Sequence, residues 1–464
     1  MKSVYLNGGA IVDREKIYID DDFKKIMERI KNIYGKGSLI IVIDDKSTQS
    51  ALSIIGAIIA EMDVMILDER HAKKTLKCTI NEYKVNGVIG SIKSLQMYYE
   101  ESQTIGYGIK CKKLKVEQED EKNGTPLILL NTSGSSSNSK FVALTHKNLE
   151  SNTQSICKYL NPSKKTRTIN SLPLSYSYGL SVLNTTLSAG GMFSISKETS
   201  YIRQEFWNNC EYYGITDFSG VPKTYSDIIE LGLIEYMPNS ICQITQAGGR
   251  LATRYQQKLL EHSLSNKIKL FIMYGQTEAS ARLTYLELTK DSNKIGSVGK
   301  PIPGVTLISE KENYKQASEL IFKGENISLG YIDNIDKFKK RKDENKGILQ
   351  TGDIGTIDKD GFIYIKGRIS RFCKINGKRI SLDSIESSLN ALSIEAICIS
   401  DDIKITVLCP GNHDQEVAKQ IKKAIKETTD TPTAMIDIIF NKEIIYTDSG
   451  KVAYGKIKEE HYAN

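Results

Sequence analysis

The sequence predicts an α/β protein with a large N-terminal domain of layered, mostly parallel sheets and helices, followed by a small C-terminal α+β domain. Three observations predict it. Short apolar runs alternate with helix-like segments through the first two-thirds of the chain, as in stacked β–α units. Glycine- and serine-rich segments follow several of these runs, where open parallel sheets bind ligands, beyond the carboxyl ends of strands. Near residue 350 the character changes to a hairpin and then to a fresh mixture of helix and strand.

Taken in order, SLIIVIDD (38–45) reads as a strand and TQSALSIIGAIIAEM (48–62) as an amphipathic helix. VMILD (64–68), NGVIGS (86–91), TPLILLN (125–131), ICQIT (241–245) and KLFIMY (269–274) read as further strands. DKDGFIYIKGRI (358–369) carries a D-G turn between strand-like pieces, a hairpin signal. Beyond it, SLDSIESSLNAL (381–392) and AICISDDIKITVLCP (396–410) suffice for a small second domain. A chain of 464 residues exceeds a comfortable single core. The expected domains are 1–368 and 369–464.

Composition narrows the function classes. At 40% hydrophobic and 26% charged residues, the chain reads as an ordinary globular protein. No apolar run approaches the roughly 18–20 residues of a membrane span. The opening MKSVYLNGGAIVDREKIY lacks the apolar core of a signal peptide, so a cytoplasmic location is expected. The eight cysteines form no C-x-x-C pair and the five histidines no cluster, which leaves a disulfide framework or zinc site unsupported. A net charge of +7 permits polyanionic small molecules or an acidic partner protein but does not argue for nucleic acid.

Four segments carry candidate chemistry. In LILLNTSGSSSNSKFVALTHKNL (127–149) an apolar strand runs into Thr132, Ser133, Gly134, Ser135, Ser136, Ser137, Asn138, Ser139 and Lys140. Small residues let backbone amides approach a phosphate chain, hydroxyls donate to it and the lysine adds charge. A flexible Ser/Gly loop is the competing reading, and the Walker pattern is absent. In FIMYGQTEAS (271–280), Thr277 and Glu278 could hold Mg²⁺ and its phosphate or cap and complement a helix N-terminus. In 350–386, Asp353 could accept both ribose hydroxyls and Arg368 could reach the same sugar or a phosphate, although T-G-D is also common turn chemistry. In IIYTDSGKVAYGKI (444–457), Lys451 follows Ser-Gly in a loop.

The ordered set resembles the adenylate-forming superfamily of acyl- and aryl-CoA synthetases, peptide-synthetase adenylation domains and luciferases, over about residues 125–457. NTSGSSSNSK corresponds to its phosphate loop, LPLSYSYGLS (172–181) to its acyl-pocket motif and TQAGGRL (245–251) to the stretch beside the adenine. YGQTE corresponds to the magnesium signature, TGD, GR and NGKRI to the ribose and hinge region, and DSGK to the catalytic lysine loop. Ser137 stands where the family has glycine, Ser139 where it has proline, and Ser370 at the hinge where it has Asp or Lys.

The resemblance implies ATP-dependent conversion of a small carboxylic acid to an acyl-adenylate with release of pyrophosphate, then transfer to a thiol, foremost that of CoA. Thr132, Ser133, Gly134, Ser135, Ser136 and Lys140 would cradle the phosphates, and Ala247, Gly248 and Gly249 would line the adenine. Tyr274, Gly275 and Gln276 lead to Thr277 at the α-phosphate and Glu278 on Mg²⁺. Asp353 and Arg368 would grip the ribose, and Lys451 would reach the α-phosphate and bridging oxygens from a mobile small domain. Gly377 would line the thiol tunnel, beside a basic strip of Lys374, Lys378 and Arg379 suited to CoA or to an acidic acyl carrier protein bearing phosphopantetheine. Tyr176 and Tyr178 would wall the acyl pocket, with core packing as the alternative. Gly179 aligns with the aspartate that amino-acid-activating relatives use for the substrate ammonium, which disfavours an ordinary α-amino acid. A stand-alone carrier-protein ligase is the near rival, and a catalytically silent nucleotide-binding relative the more distant one.

Overall fold

The computed structural model describes residues 1–115, 124–131, 140–308, 317–375, 378–447 and 452–462, and of Arg379 the backbone alone. Its largest sheet has eight strands, ordered Gly330–Ile332, Phe141–Thr145, Leu127–Asn131, Asp63–Asp68, Leu39–Asp44, Gly87–Ser91, Ile109–Lys113 and Gln103–Gly106. The four central strands pair in parallel and the flanking ones antiparallel. Every residue of Leu39–Asp44 is buried, as expected of a near-continuous apolar strand covered on both faces.

One cover is the helix Thr48–Ile59, whose N-terminus Ser47 caps by accepting from the Ser50 amide. All its residues except Gln49 are buried. The segment read as amphipathic is therefore a central helix, with Ser50 and Ser53 satisfied by hydrogen bonds inside the core.

A second sheet runs Asp217–Gly220, Gln243–Gln246, Lys269–Tyr274, Thr284–Glu287 and Lys300–Pro301, parallel over its first three strands. A third joins Arg167–Ile169, Met192–Ser194, Ala10–Val12 and Ile17–Tyr18. A fourth, wholly antiparallel, holds Val305–Leu307, Ser318–Gly324, Ile348–Ile357 and Ile363–Arg368. Its last two strands form the hairpin read at D-G. The Asp358 carboxylate accepts from the Asp360 and Phe362 amides and closes that turn.

After Arg368 the chain builds a separate small core. The hairpin Phe372–Ile375 and Lys378–Ser381 and the sheet Ile397–Ser400, Ile405–Leu408 and Ile436–Ile439 pack with helices Leu382–Ala391 and Gln415–Thr429. Ile375, Ile385, Leu389, Val407, Ile421 and Ile425 fill this core. Arg371 ties it to the entering chain: it donates to Asp383, Glu386 and the Cys398 carbonyl and stacks on Tyr454. Among the described residues, no helix is long and apolar enough to cross a membrane.

Candidate active site

Three of the four larger sheets send strand ends to one place. The strand Lys269–Tyr274 delivers Tyr274, Gly275 and Gln276 into a tight turn over Thr277–Ala279. A Cβ on Gly275 would lie 2.0 Å from the Ala281 carbonyl oxygen, so the turn closes only with glycine there. Buried amides hold the turn from behind. Asn326 Nδ2 donates to the carbonyls of Ala279 (3.0 Å) and Arg282 (2.9 Å), and the Ser328 amide donates to the Glu278 carbonyl at 2.8 Å.

From the fourth sheet come Asp353 and Arg368, paired directly across the hairpin. The Asp353 carboxylate is 3% exposed and gathers donors on both oxygens. Arg368 Nε donates to Oδ1 at 2.8 Å, while the Tyr274 hydroxyl (2.5 Å) and Gln276 Nε2 (2.8 Å) donate to Oδ2. Gln276 also donates to the Thr351 carbonyl at 2.9 Å. Burial, and then the Asp353 charge, push the Tyr274 phenol far above its ordinary range, so it stays a neutral donor. Both Asp353 oxygens, read from sequence as open acceptors, are thus already engaged. A carboxylate offers about four acceptor positions, so three donors leave space for one more.

The eight-stranded sheet contributes Tyr331, and Lys140 stands just before the neighbouring antiparallel strand Phe141–Thr145. The Tyr331 hydroxyl donates to Glu278 Oε1 at 2.6 Å, and Lys140 Nζ lies 3.6 Å from the Tyr331 ring centroid, a cation–π contact. Burial, then Glu278, raise the Tyr331 phenol well above its usual range. Thr277 does not cap its own turn; its hydroxyl lies 3.2 Å from that of Ser177. That contact joins the YGQTE turn to the first residue of helix Ser177–Ser188.

The remaining predicted residues are placed as follows. Ala247 is buried, and a Cβ on Gly248 would come 2.8 Å from the Tyr176 hydroxyl, so that tyrosine covers the glycine pair. Gly249 sits beside Pro222. Tyr178 is buried, its hydroxyl reaching the Thr245 carbonyl at 2.8 Å and its ring facing the Arg282 guanidinium at 4.1 Å. At Gly179 a Cβ would lie 2.0 Å from the Pro173 carbonyl oxygen. No side chain fits there, so helix packing requires the glycine, and no carboxylate stands at that position. Thr132, Ser133, Gly134, Ser135, Ser136, Gly377 and Lys451 lie outside the described residues, as do Ser137 and Ser139; Tyr446 and Val452, which flank Lys451's loop, form an antiparallel bridge. Of the basic strip, Lys378 is paired with Asp430 at 2.6 Å on the surface.

Sequence reading missed Tyr331, Ser177 and Asn326. Ser177 stands inside LPLSYSYGLS, between the two tyrosines that were singled out there, whereas Tyr331 and Asn326 stand in no motif. Tyr331 carried one weak signal: an aromatic in a short apolar run after a glycine.

Comparison with known proteins gives the family and the fold. The sequence profile of the AMP-binding enzyme family matches residues 29–332. The 2-succinylbenzoate–CoA ligase of Staphylococcus epidermidis is 25% identical over 340 residues, covering 71% of this chain and 69% of the relative. The D-alanine–D-alanyl carrier protein ligase of Listeria monocytogenes is 25% identical over 368 residues, with 71% and 69% covered. In fold, the chain is similar to o-succinylbenzoate CoA synthetase from Bacillus subtilis bound to its acyl-adenylate. The TM-score is 0.76 at 18% identity, over 99% of this chain and 97% of that one. The chain belongs to the AMP-binding enzyme family and is an adenylate-forming acid–thiol ligase.

Proposed function

We propose that this ligase activates a small carboxylic acid with ATP and passes the acyl group to CoA through the residues gathered at the sheet junction. The acid's carboxylate oxygen attacks the α-phosphorus, the bond to the bridging oxygen breaks, and pyrophosphate leaves with the β- and γ-phosphates. The thiol sulfur then attacks the acyl carbon, and AMP departs. Carboxylate and triphosphate repel, so charge neutralisation and alignment dominate the first step. The observation that carries the reading is the convergence of Tyr274, Gln276, Asp353 and Arg368 with Glu278, Tyr331 and Lys140.

In this reading Asp353 accepts a ribose hydroxyl while Arg368 and Gln276 fix its carboxylate. Lys140 adds charge to the phosphate cradle of residues 132–136, Thr277 touches the α-phosphate, and residues 247–249 border the adenine. Among the described residues no cluster of three metal-ligating side chains exists. Mg²⁺ commonly binds through one or two carboxylates plus substrate phosphates, so a lone Glu278 fits it. Glu278 would hold the ion, and the ion would neutralise the departing pyrophosphate. Lys451 reaches the α-phosphate during adenylation. The small domain, from residue 369, then swings about Ser370 and offers Gly377 to the thiol.

Carrier-protein phosphopantetheine is the second reading, favoured by the similarity to a carrier-protein ligase. Acid-dependent ATP–pyrophosphate exchange across a panel of carboxylic acids tests the first half-reaction. No exchange with any acid would reject it. Thioester formation with CoA against a phosphopantetheinyl protein decides the acceptor.

A further inference from the structure

A narrow cavity of about 30 Å³ lies between helices His146–Leu160 and Ser177–Ser188 and the strands Gln243–Gln246 and Lys269–Tyr274. Thr185, Ser219, Thr245, Met273 and Arg282 are on its wall. It adjoins the activation site, because Tyr178 bonds to Thr245 and faces Arg282, whose carbonyl shares the Asn326 amide with that of Ala279 in the turn beginning at Thr277.

Arg282 is 2% exposed. Its Nε donates to the Met273 sulfur at 3.3 Å and one terminal nitrogen donates to the Ala281 carbonyl at 3.3 Å. A thioether is a weak acceptor, and five N–H donors are available. No carboxylate among the described residues lies within ion-pair distance of it, although the cavity wall includes an acid. That acid, Asp217, is held instead by Gln243 Nε2 at 2.7 Å and the Thr216 hydroxyl at 2.5 Å. The guanidinium thus meets one carbonyl, a thioether and the Tyr178 ring but no carboxylate among the described residues, and a buried cation without a counter-charge is repaired by an anion. A second, independent group on the same wall is unspent: the Thr185 hydroxyl is buried and has no hydrogen-bond partner among the described residues.

We infer that the acid activated here carries a second anionic group, and is a short-chain dicarboxylic acid whose remote carboxylate pairs with Arg282 and accepts from Thr185. The inference rests on the acid-activation reading above. A carboxylate matches the planar guanidinium fork, and a cavity of about 30 Å³ admits little besides that compact group. Arg282 is thereby the specificity residue of the pocket.

The test is ATP–pyrophosphate exchange with matched pairs, butanoate against succinate and pentanoate against glutarate. The wild type should prefer the diacid by about 100-fold or more in kcat/KM, because a site built around a buried charge rejects the analogue that leaves it unpaired. Arg282→Met should lose the preference, and Arg282→Lys should keep part of it. Without substrate, Arg282→Met should melt at an equal or higher temperature, since it removes an unpaired buried charge; a purely structural arginine would give the opposite. A wild type that prefers the monoacids, or an Arg282→Met variant that keeps the diacid preference, overturns the inference and leaves adenylation standing. Exchange with no acid of either kind rejects adenylation itself. Should the variants fail to fold, the wild-type pairs alone decide.

Discussion

Replacing Asp353 by asparagine isolates the charge at the centre of the proposed ribose site. The carboxylate accepts from Arg368, Tyr274 and Gln276 within 2.8 Å and is 3% exposed. Hydrogen bonds to a charged group contribute about 1.5–3 kcal/mol and neutral ones about 0.5–1.5 kcal/mol, so each bond that survives on the one remaining oxygen loses about 1 kcal/mol, while the asparagine NH2 cannot accept and loses its bond outright. Arg368, with half its side chain exposed, contributes less because water screens it. The expected destabilisation is therefore at least about 2 kcal/mol. A ribose hydroxyl in the fourth acceptor position suffers the same downgrade, about 1–1.4 kcal/mol, or roughly a 5- to 10-fold rise in KM for ATP. Tyr274→Phe is the control: it deletes one donor and keeps the carboxylate, so it should lower stability while leaving KM for ATP within about twofold. The assays are thermal melting and ATP titration of acid-dependent pyrophosphate exchange. An Asp353→Asn enzyme that melts lower but has an unchanged KM for ATP would remove Asp353 from the ribose site and leave it a structural anchor.

Lys451→Ala should abolish acyl-adenylate formation while sparing thioester formation from supplied acyl-adenylate; equal loss of both half-reactions would count against the lysine's role. Tyr331→Phe removes the 2.6 Å hydrogen bond that orients Glu278, and the Mg²⁺ concentration for half-maximal exchange should rise by about tenfold. An unchanged requirement would separate Tyr331 from the metal. Stability should also depend on His146, whose imidazole burial pushes down to about 4 from 6.5. Above pH 6.5 it is neutral folded and unfolded; below that the unfolded chain binds a proton that the folded chain refuses. Stability is therefore lost as pH falls from 6.5 toward 4, by up to about 1.4 kcal/mol per pH unit. Urea unfolding at pH 7.5 and 5.0 should show a smaller difference for His146→Leu than for the wild type, and equal slopes would exclude the imidazole as the source.

Much of the architecture was legible because period and punctuation are local. Leu39–Asp44 and Lys269–Tyr274 are near-continuous apolar runs, and the D-G turn sits between strands that pair. The helix Thr48–Ile59 was misread as amphipathic because its serines look polar in sequence, whereas their hydroxyls turn back onto the Ser47 and Gln49 carbonyls and vanish into the core. Asp353, Arg368 and Glu278 were visible as motif residues. The Glu278 partner Tyr331 and the Thr277 partner Ser177 were not, since each comes from a strand or helix remote in sequence.

The sequence by itself determined the family and the α/β class, and it singled out in order the candidate segments around Lys140, Glu278, Asp353 and Lys451, because each depends on short stretches of backbone and small residues. Tertiary structure alone decided what those residues touch. It filled both oxygens of Asp353, bonded Glu278 to Tyr331, and pressed Gly179 against the Pro173 carbonyl, so that packing requires the glycine and no carboxylate stands there. It also left Arg282 buried with no carboxylate among the described residues within ion-pair distance. Burial and pairing are properties of neighbours brought together across the fold, and a one-dimensional pattern does not specify which charges meet.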